Sequence, residues 1–170
     1  MIENDTACSV WPDGKLKRSS GTPARRMLLW VMNGRSRTKV CEVEVDVQDA
    51  TIRADATGLG QLVMNLVSNA ADAITEAKEK HPDQATKIRV SARVEGDAFM
   101  LAVEDSGPGI PEHVRARILE PFFTTKPRGQ GTGLGLAIVQ RVVKQHEGTL
   151  EIGRSDALGG ARFDVRWGAA

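Results

Sequence analysis

The stretch GQGTGLGLAIV, residues 129–139, places glycine at 129, 131, 133 and 135 and then runs directly into an apolar helical pattern. Glycines spaced this way expose successive backbone N–H groups, and a helix start adds its positive dipole end, so the segment is suited to an anion. Two familiar phosphate loops are excluded. No Lys-Ser or Lys-Thr pair follows the glycines, as a Walker A loop requires. Leu134 and Leu136 occupy the region where a dinucleotide fingerprint needs its third glycine, and no strand leads into the segment. The meaning of the glycine cluster therefore depends on the rest of the chain.

Working outward, residues 41–47 (CEVEVDV) alternate acidic and apolar residues, with Val43, Val45 and Val47 on one face of a half-buried strand. A short extended piece at Ile52–Ala54 follows, and Asp55 is the N-cap expected for a long helix through about Lys80, closed by Pro82. Residues 87–95 and 98–104 alternate again around Glu95-Gly96-Asp97 and read as a hairpin. The pattern predicts a short helix over Pro111–Ile118, a second long helix over 132–147, and closing strands at 149–153 and 161–167 around the DALGG turn. Residues 24–33 suit a further short helix after Pro23, ended by Gly34. Residues 1–22 lack any period and read as a disordered tail or a remnant foreign to the domain, leaving 23–170 as one folded unit. These helices are not spaced for repeated βαβ units. The fold class expected is α+β: a two-layer sandwich, with a mixed, mostly antiparallel sheet of about five strands and three main helices on one face.

Three further segments carry chemical signals. On the long helix, QLVMNLVSNAADAI (61–74) sets Leu59, Leu62, Leu66, Ala70, Ala73 and Ile74 at core spacing, while Gln61, Asn65 and Asn69 recur every fourth residue on a polar face, followed by Asp72. Asn is a poor helix-interior residue, and amide oxygens are competent Mg²⁺ ligands alongside phosphates and water; a solvated polar face is the alternative. EDSGPGIP (104–111) follows a strand and contains Asp105, Gly107 and Gly109. An ionised carboxylate only accepts hydrogen bonds, so it suits an exocyclic amine and repels a phosphate; a tight turn with an Asx cap is the alternative. EPFFTTKPRGQ (120–130) joins Phe122 and Phe123 to a cationic loop bearing Lys126 and Arg128, which suits either a segment covering phosphates or a core pair followed by a surface loop.

Composition narrows the classes. Lys plus Arg total 23 against 22 Asp plus Glu, and aromatics are 4 % with no Tyr, which disfavours a nucleic-acid binder. No apolar run approaches the roughly 18–20 residues needed to span a bilayer, and MLLWVM (27–32) lacks the features of a secretory signal. Cys8 and Cys41 form neither a CxxC pair nor a cysteine–histidine cluster. A cytoplasmic setting without direct membrane contact is expected, with the parent protein free to be membrane-anchored.

In their order along the chain, the four segments resemble the catalytic, ATP-binding domain of bacterial sensor histidine kinases. These belong to the wider group of gyrase, heat-shock chaperone, histidine kinase and MutL ATPases with a Bergerat-type fold. NLVSNAADAI resembles the N box, DSGPGI the first glycine box, EPFFTTK the F box and GTGLGLAIV the second glycine box. KQHEGTLEI and GGARFDVRW resemble the closing strands. NAADA and the short loop after the F box are most similar to kinases of the nitrogen-regulation and dicarboxylate-sensing type. The resemblance implies ATP and Mg²⁺ as cofactors. It implies that Asn69 ligates the metal with Asn65 beside it, and places Asp72 on the same nucleotide-facing helix. It implies that Asp105 pairs with the adenine amine, that Gly107 and Gly109 shape the base pocket, and that Ile110 packs on the ring. Lys126 and Arg128 would approach the phosphates, and the segment Gly131, Thr132, Gly133, Leu134 and Gly135 would present backbone amides to them. Asn65 and Lys126 are the residues this implies for catalysis.

The partners implied are a histidine-bearing dimerisation domain and, indirectly, a response regulator. His81, His113 and His146 all lie after the N box, and none stands in the His-Glu or His-Asp setting of a phosphoacceptor, so the acceptor is expected on another domain and autophosphorylation by this fragment alone is not. An ATP-driven clamp of the same group would carry a Glu where Asn65 stands. A serine-kinase anti-sigma factor or a non-catalytic ATP sensor is the remaining alternative, which the F box and GTGLGL disfavour.

Overall fold

Period-two alternation of apolar residues builds the sheet, and the computed structural model describes residues 41–48, 54–126 and 131–169. The strands are β1 (Glu42–Val47), β2 (Lys87–Glu95), β3 (Ala98–Asp105), β4 (Thr149–Arg154) and β5 (Ala161–Gly168); the helices are α1 (Ala56–Lys80), α2 (Glu112–Arg115) and α3 (Gly135–Gln145). The order across the sheet is β1-β2-β3-β5-β4. β1 runs parallel to β2, and the other neighbours are antiparallel. The expected α+β sandwich is therefore present. The tail at 1–22, the helix at 24–33, most of the extended piece at 52–54, and Arg128 lie outside the described residues.

One face of the sheet is apolar. Ile88, Val90 and Ala92 of β2, Phe99, Leu101 and Val103 of β3, and Phe163, Val165 and Trp167 of β5 are buried there. α1 and α3 pack side by side against this face, α1 over β2 and β3, α3 over β4 and β5. The stripe Leu59, Leu62, Leu66, Ala70 and Ile74 is buried as its spacing predicts, and Val63, Val67 and Ala71 widen it. Ala73 is the exception, because it faces a cleft rather than the core.

Asp55 caps α1, its carboxylate accepting from Thr57 N–H at 3.2 Å and Gly58 N–H at 2.7 Å. The far end of α3 locks onto that cap. His146 Nε2 lies 3.2 Å from Asp55 N–H, its Nδ1 lies 2.9 Å from the Val142 carbonyl, and its ring stacks on Trp167. His146 is thus a structural joint between the two long helices.

Two helices are shorter than their sequence patterns suggest. Over 111–118 only Glu112–Arg115 is α-helical, and the chain continues in three-residue turns such as Glu120 N–H to Arg117 C=O. α3 begins at Gly135 rather than 132 because Gly133 takes φ 65°, which no right-handed helix accommodates. Among the described residues no helix is long and apolar enough to cross a membrane.

Candidate nucleotide site

Between α1, the loop after β3 and the start of α3 lies a cleft of about 850 Å³. Helical spacing on α1 lines one wall with Asn65, Asn69, Asp72 and Ala73. Pro108, Gly109, Ile110 and Val114 form the opposite rim, and Ile138, Ala161 and Phe163 contribute apolar surface.

At one end is Asp105. Strand alternation turns it to the same face as Val103 and Leu101, so this carboxylate is 4 % exposed. Its Oδ1 accepts two backbone N–H bonds, from Gly107 at 2.9 Å and from Ala161 at 3.0 Å. No described residue donates to its Oδ2, which is the acceptor left for a ligand. Burial pushes the Asp105 carboxyl above its ordinary range, and the two N–H bonds pull it back in part.

At the other end is the start of α3. Among the described residues no side chain caps it, so its first amides suit an anion site. A Cβ built on Gly135 would lie 3.4 Å from Asn65 Oδ1 and 3.7 Å from Asn69 Nδ2, so the helix start abuts both amides. The mid-helix asparagines and the glycine-rich turn, 70 residues apart in the chain (65 against 135), meet at one point.

The F-box segment is fastened to this turn. Phe122 N–H donates to the Gly133 carbonyl at 3.0 Å, and both residues have positive φ, 67° and 65°. A Cβ at Gly133 would fall 2.4 Å from the Phe122 carbonyl carbon, and one at Gly131 would fall 2.7 Å from Thr124 Oγ1. These glycines therefore make room for the F-box backbone as well as exposing amides. Thr132 Oγ1 accepts from Leu134 N–H at 3.4 Å. Among the sequence-derived residues, Asn65, Asn69, Asp72, Asp105, Gly109, Ile110, Lys126 and residues 131–135 all line the cleft. Gly107 sits behind Asp105 against Ala73 rather than on the surface. Lys126 does not point to the α3 end: its Nζ is 2.5 Å from Asp72 Oδ2, one turn along α1 from Asn69. Gly160 and Ala161 carry no local sequence signal of ligand contact, and the apolar lining residues Phe163 and Ile138 look like ordinary core in the sequence.

A buried acceptor-only carboxylate at one end of an apolar cleft and open helix amides beside two carboxamides at the other suit a ligand that has an amine donor at one end and an anion at the other. Residues 54–169 match the model of the histidine kinase-, DNA gyrase B- and HSP90-like ATPases, and the chain belongs to that family. Within it the chain is a sensor-kinase ATP-binding domain. It is 41 % identical over 100 residues to the nitrogen regulation protein NtrY of Azorhizobium caulinodans, covering 59 % of this chain and 13 % of that protein. It is 38 % identical over 133 residues to the C4-dicarboxylate transport sensor protein DctB of Pseudomonas aeruginosa, covering 77 % and 21 %. The chain thus spans about a fifth or less of those relatives' lengths. Both are of the nitrogen-regulation and dicarboxylate-sensing type that the N box suggested. Among solved structures, the mycobacterial sensor histidine kinase MprB is similar at 31 % identity and TM-score 0.65, covering 85 % of this chain and 90 % of that one. The ATP-binding domain of PrrB from Mycobacterium tuberculosis is similar at 27 % and 0.64, covering 85 % and 93 %.

Proposed function

We propose that this chain binds ATP with Mg²⁺ and presents the γ-phosphate to a histidine on a separate helical dimerisation domain, as the catalytic part of a two-component kinase that feeds a response regulator. The observation that carries this reading is the abutment of the open α3 start on Asn65 and Asn69, in the same cleft as the buried Asp105 acceptor. Asp105 Oδ2 would accept from the adenine amine, with Ile110 against the ring. Asn69, with Asn65 beside it, would hold the cation through neutral amide oxygens. Neutral ligands of this kind would leave most of the cation's coordination to phosphate oxygens and water.

Phosphoryl transfer asks mainly for positioning and charge neutralisation. The neutral imidazole nitrogen of the acceptor would attack the γ-phosphorus in line, forming the N–P bond as the bond to the β-phosphate oxygen breaks. ADP leaves, and the phosphorylated ring loses its proton. Phe122, 75 % exposed, and Leu134, 37 % exposed, are the exposed large hydrophobic residues among those described; Leu134 lines the cleft at the α3 end, and Phe122 is joined to the adjacent Gly133 through its backbone N–H. They form an apolar footing for the incoming helical domain next to the site of transfer.

The test is phosphotransfer from γ-labelled ATP to the histidine-bearing helical domain of a related kinase. Label that is acid-labile and base-stable, appears only with Mg²⁺, and is lost on Asn69→Ala supports the proposal. Acid-stable label on serine would replace it with the anti-sigma-type reading. Failure of Mg·ATP to bind at all would remove both.

A further inference from the structure

Next to Asp105 in β3, Glu104 points to the opposite face of the sheet, away from the cleft, yet it is only 5 % exposed. It is tied to the turn between β4 and β5. Ser155, 1 % exposed, donates its hydroxyl to Glu104 Oε1 at 2.8 Å and accepts from Leu158 N–H at 3.0 Å. Ser155 N–H donates to the Gly160 carbonyl at 2.9 Å, and Gly159 N–H donates back to the Ser155 carbonyl at 2.8 Å. The turn is closed by backbone and side chain together. It delivers two donors to Asp105: Gly160 N–H reaches the Asp105 carbonyl at 3.0 Å, and Ala161 N–H reaches Oδ1 at 3.0 Å. Arg162 secures the other flank, 3.2 Å from Glu104 Oε1 and held by Asp164 through two 2.7 Å bonds.

The fit leaves no slack. A Cβ on Gly160 would lie 2.1 Å from Asp105 Oδ1 and 2.6 Å from Gly107 N. The orientation of the carboxylate is therefore inherited from the turn. With Oδ1 committed to Ala161 and Gly107, Oδ2 is the oxygen that meets a base.

We propose that Ser155 and Glu104 are positioning residues that set base selectivity from behind the sheet, by holding the 155–160 turn so that Ala161 orients Asp105. This inference rests on the reading of Asp105 as the base acceptor. Loosening the turn frees the carboxyl to rotate, so the distinction between a purine with a 6-amine donor and one with a 6-oxo acceptor fades, while phosphate contacts at α3 are untouched.

The experiment measures dissociation constants of Mg·ATP and Mg·ITP, which differ at the 6-position, for the full chain and for Ser155→Ala, Glu104→Met and Glu104→Gln. Wild type is expected to prefer ATP. Ser155→Ala and Glu104→Met should lose that preference by about fivefold, a partial loss of the one charged hydrogen bond between Asp105 and the amine. Glu104→Gln, whose amide oxygen still accepts from Ser155, should retain it within about twofold. If Ser155→Ala does not fold, the Met and Gln pair at 104 decides the matter. A preference unchanged in Ser155→Ala and Glu104→Met, even with a lowered melting temperature, overturns the proposal and leaves a purely structural turn. A wild type indifferent to the 6-position overturns the underlying reading of Asp105 instead.

Discussion

Asp105→Asn turns the geometry of the cleft into a prediction of sign as well as size. Oδ1 of Asp105 accepts from Gly107 and Ala161, and both donors are backbone groups that stay in place. An Asn side chain must put its carbonyl oxygen there, which forces its NH₂ into the Oδ2 position. A ligand amine would then meet a donor instead of an acceptor. The charged hydrogen bond lost is worth about 1.5–3 kcal/mol, and the buried donor left unpaired adds about 1–3 kcal/mol. ATP should therefore bind at least about 60-fold more weakly. ITP, whose 6-oxygen accepts, should bind the variant more tightly than it binds wild type, so the preference inverts.

Stability provides the second arm of the test. Because burial raises the folded carboxyl's titration, its favourable contribution is present below the ordinary carboxylate range and is lost as pH rises through the raised value. At pH 7 wild type carries the cost of a buried charge that Asn lacks. The ligand-free variant should melt no lower than wild type at pH 7, and its advantage should shrink toward pH 4. Calorimetric titration and melting curves measure both. If ATP affinity is unchanged, or if ITP gains nothing while the variant remains folded, the assignment of Oδ2 as the base acceptor is refuted.

Other outcomes follow from the same contacts. Asp72 holds the Lys126 ammonium in an ion pair; if Lys126 serves the triphosphate as proposed for the family, Asp72→Asn should tighten ATP binding by about threefold, the scale of a modest ion pair, and only while Lys126 is present; a double-mutant cycle with Lys126→Met reads this coupling. Gly160→Ala introduces a Cβ 2.1 Å from Asp105 Oδ1, so it should cost about 1–3 kcal/mol of stability, seen in denaturant melts, and abolish nucleotide-induced stabilisation. Gly133→Ala combines φ 65° with a backbone clash at Phe122 and should lower ATP affinity while leaving the sheet's circular dichroism unchanged. His146→Phe keeps the ring against Trp167 but loses the bonds to Asp55 and Val142; it should destabilise the fold by about 1–2 kcal/mol with ATP affinity unchanged once folded.

Much of this protein is determined by local pattern. Alternation located all five strands to within a residue or two, because side-chain direction in a strand is set by backbone geometry alone. The Asp55 cap and the Leu59-to-Ile74 stripe located α1 for the same kind of reason, since capping and helical spacing act within a few residues. The four boxes also marked most of the cleft, through their joint order along the chain and the family that order resembles, since the asparagine, Asp-Gly and Phe-Phe segments each left a structural alternative open.

Tertiary structure alone decided the rest. That Lys126 pairs with Asp72 rather than facing the α3 start depends on where the F-box backbone is pinned by Gly133. That Ala73 faces a cleft while Ala70 is core depends on which element packs over each. The aim of Asp105 depends on Gly160 and Ala161, 55 and 56 residues later in the chain (160 and 161 against 105), whose contribution is a backbone N–H or the lack of a Cβ. Backbone donors are common to every residue type except proline, so a sequence carries no mark of where they will be used until long-range packing brings them to the site.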